Sequence, residues 1–347
     1  MKTTIRHITN FLHQWAPPKI KMEYDNVGLL VGDQQQEVSR ILVCLDVTEE
    51  VVEEAIRTRC QLIVSHHPLI FQPIRRINPD QEQGRILYKL IRNNIALFTA
   101  HTNLDAALDG VSFVLANNLG LDNLRFLDRN YAVSRKITLT TSFEDSEAVL
   151  KLLNYYSAEE AHFFSVDGRK EGLKCFEAIM DAHNVPTLKR ALDREGLLKK
   201  GSFQVVEMAS ASNNFGMGVL GSYPEDGISQ QEFLHLVCKA LDVSAVRYSG
   251  SVDRVRSVAV CGGAGVALKQ AAIQSGADAF VTADIKYHNF FTEQRDFLLL
   301  DVGHYESEFP VIEAIRKELS EGFDDLEVFS TERVTNPVKI YSTEFGT

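Results

Sequence analysis

The sequence has no C-x-x-C pair. Its five cysteines, Cys44, Cys60, Cys175, Cys238 and Cys261, are scattered over 347 residues. An odd, unpatterned set in a chain of this size argues against a disulfide framework and predicts reduced thiols in a cytoplasmic protein. Basic residues are also in deficit: 36 Lys and Arg against 47 Asp and Glu leave a net charge of −11. General nucleic-acid binding needs a basic face, so this balance argues against it as a main role and leaves room only for a local basic patch. No run approaches the roughly 18 apolar residues that would cross a membrane. The opening stretch MKTTIRHITNFLHQWAPPK lacks the apolar region and small-residue cleavage site of a signal peptide. There Ile5, Ile8, Phe11, Leu12 and Trp15 follow helical spacing, and Pro17 and Pro18 stop it. No fixed-period repeat is visible, which excludes a solenoid. What remains is an ordinary globular composition, 45% hydrophobic and 24% charged, long enough for two or three domains.

Strands and helices alternate in the first part. RILVCLDV (40–47), QLIVS and IALFTA (95–100) read as buried strands. Residues 49–60, 84–94 and 111–121 carry helical spacing. The last part repeats the style, with strands SVAVCG, AFVTAD and FLLLDVG between helices such as PVIEAIRKELSE. Continuous apolar strands separated by helices predict an α/β fold with largely parallel sheets. The middle differs. KITLTTS alternates with period 2, and a hairpin signal sits at Asp167-Gly168. The order β-α-β-β-α-β there predicts an inserted ferredoxin-like α+β domain. The sequence thus divides into a first lobe (1–132), an insert (133–212) and a second lobe (213–347). Glycine-rich NNFGMGVLGSYPEDG reads as the connection back.

Adjacent histidines in LIVSHHPLIF stand where a strand ends. Alone, such a pair can be a solvated loop. Three further strand ends carry the same kind of residue: His101 and Asp105 in HTNLD, Asp284, Lys286 and His288 in ADIKYHN, and His304, Glu306 and Glu308 in GHYESE. In parallel α/β sheets ligands gather at the carboxyl ends of strands, so these groups converge if the strands are parallel. Successive side chains on extended backbone point to opposite sides, so His66 and His67 suit two ions better than one. His304 and Glu308 are i, i+4, as are His101 and Asp105. Pro310 predicts a helix start near Glu306, with His304 just before the helix and Glu308 in its first turn. Imidazole plus carboxylate suits zinc, iron or manganese and fits calcium poorly.

Other signals are weaker. CGGAG (261–265) is either a phosphate-facing turn or a tight strand-to-helix connection, and it has no P-loop lysine. EYDNVGLLVGD (23–33) is, from its residues alone, a polar turn before a strand. Cys44 and Cys261 read as core residues.

Taken in order, EYDNVGLLVGD, IVSHHPLIF, AHTNLDAALDGV, VAVCGGAG, TADIKYHNFF and DVGHYESEFP resemble the Nif-three-like family, whose bacterial members carry the name GTP cyclohydrolase I type 2 homologue. The resemblance spans residues 1 to about 130 and about 215 to 347. It implies two divalent metal ions (Zn, Fe or Mn) in a cleft between two α/β lobes. By motif it implies His66, His67, Asp105, His304 and Glu308 as ligands, with Glu308 or Asp105 bridging. It also implies a central insert similar to PII and CutA proteins, and a homohexameric ring. The sequence departs from the family pattern at Tyr24, Ala283 and Asn289, none of them a ligand position. The implied chemistry is metal-dependent hydrolysis of a nucleotide or related small molecule, such as opening of the imidazole ring of GTP. His101 or His288 would act as general acid or base and Lys286 would neutralise phosphate. The alternative is a non-catalytic metal-binding scaffold or regulator whose insert senses a ligand or partner.

Overall fold

The computed structural model of the chain describes residues 2–128, 134–156, 161–165, 173–181, 184–198, 202–207, 215–294 and 296–341. They fall into two compact units, one made of Met1–Leu127 with Met217–Thr347 and one of Asp128–Gly216.

In chain order, the first segment holds α1 (Ile5–Trp15), β1 (Gly28–Val31), β2 (Arg40–Cys44), α2 (Glu49–Arg57), β3 (Leu62–Ser65), α3 (Glu82–Arg92), β4 (Ala96–Thr99), α4 (Thr102–Asp105), α5 (Val111–Asn118) and β5 (Asp122–Asp128). The second unit follows with β6 (Ser134–Ser142), α6 (Ser146–Tyr156), β7 (His162–Ser165), β8 (Leu173–Asp181), α7 (Asn184–Arg194) and β9 (Ser202–Glu207). The chain returns through β10 (Met217–Ser222), β11 (Ile228–Ser229), α8 (Gln230–Ala240), β12 (Arg247–Ser249), β13 (Arg254–Val255), β14 (Ser257–Val260), α9 (Lys269–Gln274), β15 (Ala279–Thr282), β16 (Leu298–Asp301), α10 (His304–Glu308), α11 (Val311–Gly322) and β17 (Glu327–Ser330).

Two sheets organise the first unit. One runs β1-β4-β3-β2-β17, the other β12-β16-β15-β14-β10-β5. In the first, β17, β2, β3 and β4 are parallel and only β1 is antiparallel. In the second, β14, β15 and β16 are parallel, flanked by antiparallel β10 and β12. β2, β3, β4, β15 and β16 are buried along nearly their whole length. Continuous apolar runs are what a parallel strand covered on both faces requires. Each sheet takes a strand from the other half of the chain. Late β17 lies beside early β2, with Glu327 opposite Arg40, and early β5 lies beside late β10. Helix α5 follows the same exchange: Phe113, Leu115, Ala116 and Leu119 share a core with Val258, Val260 and Leu300 of the second sheet. The glycine-rich stretch read as a connection is a strand, β10, whose Val219 and Leu220 are buried.

The second unit is a four-stranded antiparallel sheet of order β7-β8-β6-β9 with α6 and α7 between its strands. Its core joins Ile137, Leu139, Leu153, Phe176 and Leu192. The Asp167-Gly168 hairpin signal and residues 133 and 212 lie outside the described residues, although β7 and β8 pair antiparallel as a hairpin would.

Candidate metal centre

Six of the parallel strands end at one place. Asp46 follows β2, His66 and His67 follow β3, and His101 follows β4. Gly262 and Gly263 follow β14, Asp284 follows β15, and His304 follows β16. The backbone fixes the histidine pair: the N–H of His66 donates to the Cys44 carbonyl (3.1 Å) and that of His67 to the Leu45 carbonyl (2.9 Å). His66 is fully buried and His67 half-buried. Asp105 is carried one turn past His101 by α4, where the N–H of Asp105 donates to the His101 carbonyl (3.1 Å).

The helix after β16 begins earlier than its proline suggests. Gly303, at φ 91°, turns the chain sharply, so His304 is the first residue of α10 and Glu308 the last. Pro310 precedes a separate helix, α11. Glu308 therefore ends a short helix rather than standing in the first turn of a longer one. The i, i+4 spacing alone brings it to His304, with Oε2 3.1 Å from Nε2.

Each imidazole is held by its Nδ1. His66 Nδ1–H donates to the Ala100 carbonyl at 2.8 Å. A carbonyl only accepts, so in the neutral ring Nε2 keeps its lone pair. His67 Nδ1 lies 2.7 Å from Asp46, His101 Nδ1 2.9 Å from Asp25, and His304 Nδ1 2.7 Å from Asp284. Asp25 is itself buried and also accepts from the Thr102 N–H at 3.0 Å. A carbonyl or carboxylate behind a histidine is how proteins fix a metal-ligating ring.

The free ends converge on Glu308. Its Oε2 is 2.9 Å from His67 Nε2 and 3.8 Å from His66 Nε2, and the latter is 3.6 Å from Asp105 Oδ1. These contacts are not well-directed hydrogen bonds: His66 Nε2, Asp105 Oδ1 and Glu308 Oε2 are all buried without a hydrogen-bond partner. A buried polar atom left unpaired costs about 1–3 kcal/mol, so three beside one another are a fold-level expense that a cation would remove. Three groups have ligand atoms within 4.8 Å of one another: His66, His67 and His101; His67, His304 and Glu308; His66, Asp105 and Glu308. Each could hold a metal ion, and the nitrogen and oxygen donors suit zinc, iron or manganese.

The charges agree with that reading. Burial opposes ionisation of Glu308, but the imidazoles of His304, His66 and His67 outweigh it and hold the carboxyl well below its usual range. Burial, reinforced by Glu308, pushes Asp105 up despite His66. For His67 burial is overcome by Asp46 and Glu308, which raise it to about 10. Glu308, then Asp284, raise His304 to about 9 against burial. Asp25, despite its burial, is drawn down to about 2 by His101 and Thr102.

All five residues that the resemblance implies as ligands lie in this cluster, and His101 lies there with them. Lys286 and His288 do not. Both are exposed and outside the three groups, and the His288 ring packs on Tyr287 at 5.3 Å. Glu306 turns away and accepts from Asn336 Nδ2 at 2.8 Å. Sequence reasoning gave no role to Asp46 or Thr335, and took Asp25 for part of a polar turn. A strand-end carboxylate near a strand-end histidine was the available signal for Asp46. The glycine N–H groups of CGGAG are bonded within the protein, Gly262 to Ser112 Oγ and Gly265 to Thr282 Oγ1. The Gly263 N–H donates to Ser307 Oγ at 2.9 Å, and a β-carbon on Gly263 would come within 2.2 Å of Glu308 Oε1. This turn makes room for the carboxylate. Beside the cluster, touching His67 and His304, is a cavity of about 610 Å³.

The Duf34/NIF3 (NGG1p interacting factor 3) family model matches residues 3–337. A Staphylococcus epidermidis protein named GTP cyclohydrolase 1 type 2 homolog is 32% identical over 375 residues, covering 99% of this chain and 98% of that protein. One of the same name from Halalkalibacterium halodurans is 29% identical, covering 95% and 97%. The solved structure of a Bacillus cereus protein related to NIF3 superposes with a TM-score of 0.72 at 29% identity, covering 98% of this chain and 99% of that one. The family model over residues 3–337 and the 32% identical relative show that the chain belongs to the Duf34/NIF3 family.

Proposed function

We propose that the chain is a dinuclear metal-dependent hydrolase-like protein acting on a nucleotide or related small molecule. The observation that carries this is the convergence of His66 Nε2, Asp105 Oδ1 and Glu308 Oε2, buried and without hydrogen-bond partners. His66 and Asp105 would serve one divalent ion, His67 and His304 a second, with Glu308 common to both groups. Ions of this kind lower the pKa of bound water toward neutrality. The chain supplies the rest. Asp46, Asp284 and the Ala100 carbonyl fix the rings, and Asp25 fixes His101 as a further donor or as the group that moves a proton at Nε2. Lys286 and His288 have weaker support, being exposed and outside the cluster.

The same proposal includes a ferredoxin-like reading of the unit at Asp128–Gly216, supported by its strand order, with lobes before and after it. It includes a homo-oligomeric ring, by family resemblance, and a cytoplasmic setting, supported by five free cysteines. No helix among the described residues is long and apolar enough to cross a membrane. Elemental analysis of protein purified without chelator tests the centre. About two transition-metal ions per chain, with turnover of a nucleotide or related small molecule, is the expected result. Protein that cannot be loaded with metal would sink the proposal. A second reading, a metal-dependent scaffold, draws on the separate second unit, and loaded protein that turns over nothing yet keeps a partner would favour it.

A further inference from the structure

The cavity beside the metal centre has a definite chemical character. Leu45, Val246, Val302, Val338 and Ile340 give it apolar walls. Its volume of about 610 Å³ lies in the range that takes a small organic ligand. Four carboxylates line it, those of Asp46, Asp284, Asp301 and Glu306. Apart from the ring-held His67 and His304, its one cationic side chain among the described residues is Arg247. That guanidinium is committed: it bonds Asp301, which is buried, and lies over the Phe290 ring at 5.5 Å. A chain of phosphates lying in this cavity would meet Asp46, Asp284 and Glu306 with no free cation among the described lining residues to offset them, apart from the proposed metal ions at one end.

Glu306 differs from the other three carboxylates. Asp46 and Asp284 hold histidines and Asp301 holds Arg247, whereas Glu306 accepts only the neutral amide of Asn336 through Oε1. Its Oε2 accepts no hydrogen bond among the described residues and folds over Gly303, where a β-carbon would come within 2.1 Å of it. A half-buried carboxylate with a spare oxygen in an apolar slot recognises N–H donors, best as a pair on one planar edge.

We infer that this cavity binds an uncharged nitrogen heterocycle through an N–H and amino edge on Glu306, and that it disfavours a polyphosphate. The inference rests on the metal-centre reading above and names the substrate class for it. Glu306 is then a specificity determinant and holds no metal.

Zinc-loaded protein titrated calorimetrically with guanosine, inosine and GTP tests this, with metal content measured on the same samples. The expected result is that guanosine binds, inosine, which lacks the amino group, binds more weakly, and GTP binds no tighter than guanosine. Glu306→Gln is isosteric and should weaken guanosine by about tenfold or more while metal content stays unchanged. Loaded protein that binds none of the three at millimolar concentration overturns the inference. So does tighter binding of GTP than of guanosine, or unchanged guanosine binding by the loaded Glu306→Gln protein. Failure of the wild-type protein to take up metal overturns the metal-centre reading, and this inference with it.

Discussion

Thr335 reaches His67 through one carboxylate: its Oγ1 donates to Asp46 Oδ2 at 2.7 Å, and Asp46 Oδ1 lies 2.7 Å from His67 Nδ1. Thr335 belongs to a stretch that also anchors at Glu54, which accepts from Thr331 Oγ1 at 2.5 Å and the Glu332 N–H at 3.1 Å. The stretch past β17 thus orients the candidate ligand His67, which follows β3. Outer partners of this kind typically contribute 10–100-fold in metal affinity. Asp46→Asn is expected to weaken the ion held by His67 within that range, and Thr335→Val by less. Competition with a chelator of known affinity measures both. Unchanged affinity in Asp46→Asn would show that the ring is fixed by backbone alone.

Glu308 and His67 each belong to two of the three ligand groups, but Glu308 brings two carboxylate oxygens, whereas His67 has only Nε2 free because Asp46 holds its Nδ1. Glu308→Gln should therefore lower the occupancy of both ions together, whereas His67→Ala should chiefly affect one. Stepwise zinc titration resolves the cases. A Glu308→Gln protein that keeps both ions at the wild-type affinity would reduce this carboxylate to a structural role.

Gly263→Ala tests how the carboxylate is seated. The position has φ +61°, and an added β-carbon would lie 2.2 Å from Glu308 Oε1. The side chain has little room to yield, because Glu308 is buried. Metal content should fall with Gly263→Ala, accompanied by loss of stability from the strained backbone of about 1–3 kcal/mol. Full metal content in a folded Gly263→Ala protein would contradict the geometry.

The pH dependence has a defined sign. In metal-free protein the neighbouring carboxylates raise His67 from 6.5 to about 10 and His304 from 6.5 to about 9, against the burial of both rings. A histidine raised on folding stabilises fully below its unfolded pKa, and that stabilisation is lost as pH rises through the folded value. Metal-free protein should therefore lose stability between about pH 6.5 and pH 9–10. Metal must displace the same protons, so its affinity should rise over that window. Asp25 works the opposite way: drawn down to about 2, its contribution is lost as pH falls below its unfolded value of 3.8. Melting temperatures with and without zinc across pH 6–10 should diverge. Parallel curves would disprove the exchange of protons for metal.

Removal of the second unit should leave the metals in place. β5 and β10, which flank it in sequence, are neighbours in one sheet, and a β-carbon on Gly218 would touch the Leu127 side chain at 3.3 Å. A short linker can close that gap. A version lacking 128–216 is expected to fold and bind metal as the full chain does. If it folds without metal, the second unit supports the centre in a way its own core does not reveal.

Much of the candidate centre was legible because its residues stand at the ends of apolar strands. Leu62–Val64 and Leu298–Leu300 announce buried parallel strands, and a histidine at such an end has few structural uses. The partners behind the rings were not legible. Asp25 lies 76 residues from His101, and nothing local in a polar turn shows that it will be buried against that ring. The start of α10 was misread because Pro310 is a strong local signal, while the positive φ of Gly303 is visible only in three dimensions. The exchange of β5, α5 and β17 between the sheets was equally hidden, because strand periodicity carries no information about the choice of neighbour.

That exchange bears on the order in which the protein can be built. Arg40 and Glu327, paired across β2 and β17, are 287 residues apart. Until residue 330 has been synthesised, β2 is a bare edge of the first sheet. During that interval α5 and β5 also wait for the second sheet on which they pack. Contacts this distant in sequence close late and slowly. His304 and Glu308 emerge only just before β17, so a growing chain holds His66, His67, His101 and Asp105 before it holds Glu308, the residue proposed to serve both ions. Translation itself therefore delays assembly of the centre until nearly all of its protein scaffold exists. A chain stalled before residue 304 would carry four potential ligands with no means of closing the site.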